Sequence, residues 1–211
     1  VKNSSKSIDE TNIRESIQGK KITGRLEDEA GNRGSCEVEV SVDKETPSAP
    51  TITASDGKAS GSWHIKNFTL SYSGAENISG NTYYYGTTET PETEAATSST
   101  EITKNTKSTT YYVKVCSGAG LCSGNASYIV KLDKTIPTAP EIEGGSETWI
   151  NGTRTIKVKT ESISVSNITK YQYYISTSNS SQTGGSWEDV SGTSQTITTE
   201  GERYIYFRAV N

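Results

Sequence analysis

Residues 42–50 read VDKETPSAP and residues 132–140 read LDKTIPTAP. A nonapeptide written almost twice, ninety residues apart, constrains the fold more than any other feature, because a joint used twice implies folded units on both sides of it. Each copy ends a run rich in Val, Ile and Leu, then sets two prolines three positions apart. Proline fixes φ, removes a backbone donor and holds the preceding residue in extended geometry. The nonapeptide therefore reads as the exit of a last strand followed by a short, stiff joint. Neither copy offers a catalytic nucleophile, a metal cluster or a phosphate cradle.

Laid over one another by their joints, the two stretches match in order. After Pro50 come TITA, Trp63, NFTLSYS, TYYYG, TEIT and YYVKVC; after Pro140 come EIEG, Trp149, RTIKVKT, YQYYIS, QTIT and YIYFRAVN. Each short run carries β-branched or aromatic residues bounded by Gly, Asn, Ser or Pro, the mark of strands, and no apolar period of 3.6 residues is sustained. The reading is an all-β chain of tandem sandwiches. Residues 1–46 align with only the last two strands of a unit, residues 47–136 with a whole unit, and residues 137–211 with a unit lacking its final strand. The array is expected to continue in both directions; the two partial modules are expected to fray or fold marginally, the alternative being that CEVEVSVD from residues 1–46 of one molecule pairs on the open edge left at the end of another.

Alternation in the penultimate strand sends Val113 and Val115 to the core, with Ile205, Phe207 and Ala209, and in the first copy Ile22 and Leu26. The outward position between them is basic each time, as Arg25, Lys114 and Arg208, which reads as a solvated face that discourages sheet-to-sheet pairing. Hydrophobic residues make up 30% of the 211, below the usual value of about 45–50%, and this suits thin two-layer domains. Net charge is −4 with no basic run, so nucleic acid and anionic membranes lack their electrostatic footprint. No stretch approaches the roughly 20 apolar residues that span a bilayer; any membrane link is expected through an anchor outside this segment. The chain starts at Val1 without a methionine and reads as a fragment of a longer protein.

The combination of EGERYIYFRAVN (200–211), EDEAGNRGS (27–35) and the two joints resembles the tandem bacterial Ig-like modules of large surface proteins, mostly Gram-positive. The resemblance covers most of the chain. It implies seven-stranded immunoglobulin-like sandwiches strung as stalks, on the outside of the cell or secreted, whose partners are neighbouring repeats. One departure is CSGAGLCSG in the middle unit, where the family has an AGN turn.

Cys116 ends one strand and Cys122 begins the next across the turn SGAGL. Facing hairpin residues lie within disulfide reach, so a Cys116–Cys122 bond is expected over the alternative of two reduced thiols. Cys36 has no visible partner. His64, the only histidine, has no Ser or Cys placed for it, and the carboxylates lie in turns and on strand faces. No catalytic residue, metal site or cofactor is expected. Trp63 and Trp149 recur at one station, which argues for packing at the sandwich end. Trp187 lies in a longer connection present in one unit only. With Tyr171, Tyr173 and Tyr174 it could form a sugar-stacking platform; the plainer reading is a ring folded over the sheet. The sequons at Asn3, Asn67, Asn77, Asn125, Asn151, Asn167 and Asn179 read as composition. The expected function is a non-catalytic stalk or spacer in an adhesin-type surface protein. The alternative is a binding module for a glycan or a host protein such as immunoglobulin.

Overall fold

A computed structural model of the chain describes residues 5–9, 12–179 and 186–211. Every regular element among them is a β-strand, and no helix is long and apolar enough to cross a membrane. The chain divides into two compact units. One comprises Val1–Ser62, Asn67–Lys104 and Ser108–Lys131; the other comprises Trp63–Lys66, Asn105–Lys107 and Leu132–Asn211.

In the first unit, β1 (Ser5–Ile8), β2 (Ile17–Glu27) and β3 (Arg33–Val42) form an antiparallel sheet in that order. The register sets Ile8 opposite Gly24 and Ile22 opposite Val38. Because side chains alternate with period two, Ile8, Ile22, Leu26 and Val38 share one face. That face is open: Leu26 is 46% exposed and Val38 57%. The alternation expected for Ile22 and Leu26 is present, but the burial it usually implies is not.

Eight strands follow, of which β5 lies in the second unit: β4 (Thr51–Ala54), β5 (Trp63–His64), β6 (Phe68–Ser73), β7 (Asn81–Gly86), β8 (Thr93–Glu94), β9 (Ser99–Ile102), β10 (Thr106–Ser117) and β11 (Ala126–Leu132). One sheet runs β4-β6-β9, and in another β11, β10, β7 and β8 lie side by side. These are the two layers of an immunoglobulin-like sandwich. The sequence FTLSYS of β6 buries Phe68, Leu70 and Tyr72 and turns Ser71 and Ser73 outward. Leu70, Val113, Val115 and Val130 are fully buried, and the Tyr72 and Tyr83 rings meet at 6.0 Å. Each such aliphatic side chain contributes about 1.5–3 kcal/mol by leaving water. Val113 and Val115 thus face the core as alternation requires.

The second unit carries β12 (Glu141–Glu143), β13 (Arg154–Thr160), β14 (Lys170–Ser176), β15 (Glu188–Asp189), β16 (Ser194–Ile197) and β17 (Tyr204–Val210). They form two three-stranded sheets, β12-β13-β16 and β15-β14-β17. Ile156, Tyr171, Val190 and Ile197 are buried, and Phe207 packs on Tyr173 with ring centroids 6.4 Å apart. The tryptophan station does not behave as one device. Trp63 opens β5 but is itself 36% exposed, whereas Trp149 belongs to no strand and is 86% exposed. With no strand to aim its ring inward, Trp149 does not pack the sandwich end.

Candidate functional site

Two turns of one design close the β2–β3 and β10–β11 hairpins. In the first, Asp28 N–H donates to Asn32 O at 3.0 Å and Gly31 N–H to Asp28 O at 3.0 Å. In the second, Ser117 N–H donates to Leu121 O at 2.8 Å and Gly120 N–H to Ser117 O at 2.9 Å. Gly31 and Gly120 sit at φ 86° and 85°, a left-handed geometry that glycine adopts without a Cβ penalty. The turn in CSGAGLC is therefore the AGN turn with other side chains. The residues flanking it differ in kind. Glu27 and Arg33 face one another and form an ion pair at 3.0 Å; at the matching stations Cys116 and Cys122 form a disulfide. A covalent bond stands where the first hairpin has an exposed ion pair. Cys36 is exposed and free.

Each joint aspartate is held by the residues that follow it. In the first unit, Asp43 accepts from the Ser79 hydroxyl and from Glu45 N–H. Asn77 Nδ2 donates to Glu45 O at 3.0 Å, and Asn77 Oδ1 accepts Ser79 N–H at 3.0 Å. The hydroxyl of Ser79 foremost, with Glu45 N–H, Ser117 and Asn77, holds the Asp43 carboxyl below its ordinary pKa. In the second unit, Asp133 Oδ2 accepts four bonds: Ser166 N–H at 2.7 Å, Ser164 Oγ at 2.7 Å, Ser166 Oγ at 2.8 Å and Asn211 Nδ2 at 3.1 Å. Its Oδ1 accepts Thr135 N–H at 2.9 Å, and its own N–H donates to His64 O at 3.0 Å. Asp133 is only 6% exposed. Burial alone would raise its pKa, but the donors from Ser166, Ser164 and Thr135 outweigh that effect and hold it well below the usual carboxylate range.

The correspondence is close. Ser117 ends β10 and Asn211 directly follows β17, and each reaches the aspartate of its joint. The N-I-S of residues 77–79 and the S-V-S of residues 164–166 supply the other donors. Charged hydrogen bonds of this kind are roughly twice as strong as neutral ones. The joint is not uniformly exposed: Asp133 is buried within it while Ile136 is open to solvent. Only the D-K pair of the nonapeptides pointed to this clasp; its partners emerge when the chain is aligned on that aspartate, not on the prolines.

The four aromatic residues named for a platform divide between two faces. Along β14, Tyr171 lies in the core and its hydroxyl accepts Ser162 N–H at 3.2 Å. Tyr173 shares that face, meets Phe207, and donates to Glu188 at 2.6 Å. Tyr174 points the other way, because successive strand residues alternate. There it meets Trp187 at 6.0 Å and Tyr206 at 6.2 Å. The register pairs Tyr174 with Tyr206 and Gln172 with Arg208. Arg208 places its guanidinium 4.3 Å from the Trp187 ring centre and donates to Gln172 Oε1 from Nε at 2.9 Å and Nη2 at 2.6 Å. Trp187 is half-buried over the sheet. The outer group is therefore Trp187, Tyr174, Tyr206 and Arg208. Tyr206 and Arg208 were legible only as alternating strand positions.

No protein-family model matches the chain, and no curated protein sequence matches it. Solved structures similar to it include the FN1–FN3 domains of chicken CNTN1, 12% identical, covering 92% of this chain and 73% of that one with a TM-score of 0.33. Another is the central fibronectin-III array of RIM-binding protein, 14% identical, covering 80% of this chain and 60% of that one with a TM-score of 0.30.

Proposed function

We propose that this chain is a non-catalytic segment of an extracellular array of immunoglobulin-like sandwiches, serving as a spacer that carries other domains of a bacterial adhesin-type surface protein. The modules meet near residues 46 and 136, and their regular partners are the neighbouring repeats. The observation that carries the reading is the twice-used clasp, in which a joint aspartate is hydrogen-bonded by the segment that follows it. A spacer needs joints that resist fraying, and two joints here repeat one polar solution. The Cys116–Cys122 bond suits an oxidising compartment.

The test is exchange in the full-length protein on cells. Replacing this segment by an equal number of unrelated immunoglobulin-like sandwiches is expected to preserve adhesion, while deleting it without replacement reduces adhesion. Adhesion lost in the exchanged protein, with surface display intact, would overturn the spacer reading.

A further inference from the structure

The outer face of β14, β15 and β17 holds more aromatic surface than the fold requires. The matching station of the central sandwich shows what suffices. There Tyr112 pairs with Gly86, and a Cβ on Gly86 would lie 3.3 Å from the Pro91 Cα, so backbone closes the station. Lys114, one pair along, sits 5.6 Å from the Tyr84 ring centre. In the second unit, Tyr206 pairs with Tyr174, Trp187 leans on Tyr174, and Arg208 lies against Trp187. One copy is sealed by glycine and proline; the other presents a row of three rings ending in a guanidinium.

The charges on this face do not cancel. Lys170 is neutralised by Asp189 at 2.8 Å. Among the described residues no carboxylate pairs with Arg208, whose bonds go to the neutral Gln172 amide. At the far end of the row, Tyr204 donates to Glu202 at 3.0 Å. The strip thus has a positive end at Arg208 and a negative end at Glu202, on a chain of net charge −4. A guanidinium backed by an indole is a fork with donors free for a carboxylate. Aromatic faces take the apolar face of a pyranose, leaving its hydroxyl edges to water; Gln172 is already engaged, its Oε1 by Arg208 and its Nε2 by Asp189 at 2.7 Å.

We infer that this face is a binding site for an acidic glycan, with a pyranose ring on Trp187 and Tyr206 and its carboxylate on Arg208. A uronate and a sialic acid share that chemistry. This inference goes beyond the spacer role and does not depend on it.

The whole chain is titrated separately with 3′-sialyllactose, trigalacturonate and lactose, following the Trp187 indole N–H resonance and the bound fraction by equilibrium dialysis. At least one acidic probe is expected to bind and to move the Trp187 signal, with lactose bound at least about tenfold more weakly, the weight of one charged hydrogen bond. Which acidic probe binds identifies the source of the carboxylate. Trp187→Ala and Arg208→Gln should each abolish the acidic binding, and Lys114→Gln should leave it unchanged. Amide spectra of each variant establish that the fold is kept; Arg208→Gln, which removes no ring from the face, decides the matter if Trp187→Ala unfolds. Failure of both acidic probes to bind, equal binding of lactose, or undiminished binding by Arg208→Gln would overturn the proposal.

Discussion

The β2–β3 and β10–β11 hairpins have the same length of turn, the same left-handed glycine and the same alternation, yet their apolar faces end in opposite environments. Val113, Val115 and Val130 are fully buried, because β6 and its neighbours lay Phe68, Leu70 and Tyr72 over them. Leu26 and Val38 remain exposed. The hairpin is a local product of sequence; its burial is supplied by the opposing layer. Local pattern therefore specifies which face is apolar, and only tertiary pairing turns that face into stability.

The comparison breaks most sharply in the core. Leu70→Ala is expected to destabilise the central sandwich by about 3–5 kcal/mol through lost transfer energy and a cavity. Val38→Ala on the open face should change stability by less than about 0.5 kcal/mol, as at exposed positions generally. Chemical denaturation followed residue by residue in amide spectra would separate the two. Equal losses would show that the two faces are not in different environments.

A smaller difference is expected at the turns. Opening the Cys116–Cys122 bond by Cys116→Ser with Cys122→Ser should cost about 2 kcal/mol, from the chain entropy of a short loop. Breaking the facing ion pair by Glu27→Ala should cost about 0–1 kcal/mol, since an exposed pair is weak and the Arg33 side chain is 79% exposed. Thiol alkylation without reductant gives an independent check: Cys36 alone is expected to be labelled. Three labelled thiols would remove the disulfide and the contrast with it.

Much of this was legible in the residues. The period-two pattern of FTLSYS and YYVKVC identifies the strands and their inward faces, and the spacing of Cys116 and Cys122 across SGAGL identifies the bond. The joints were legible as joints because proline has local rules. What the joint aspartates do was not, because apart from Glu45 and Thr135 their partners are remote in sequence: Ser79 in N-I-S, Ser164 and Ser166 in S-V-S, and Asn211, all of which look like ordinary loop composition. The aromatic residues of β14 were readable as a cluster but not as two faces until Trp187 was fixed against Tyr174. Trp149 failed in the other direction: a shared position in the order of segments did not supply the strand that would aim its ring.

The clasp at Asp133 gives the account its most direct test. Its carboxyl is held below the ordinary pKa in the folded chain, so the unfolded chain binds the proton more readily. The stability it contributes is therefore fully present above the unfolded pKa of about 3.9 and is lost as pH falls through the lower folded value. Asp133→Asn replaces one acceptor oxygen by a donor facing Ser166, and at pH 7 it should cost about 1.5–3 kcal/mol, the range for hydrogen bonds to a charged group. Amide hydrogen exchange in the native chain and in Asp133→Asn reads this locally. Faster exchange is expected at Ser166 and Thr135 near neutral pH, with little change at Val113 and Val115 and a difference that narrows in acid below about pH 4. Unchanged protection at Ser166 and Thr135 would contradict the claim that the aspartate fastens the joint.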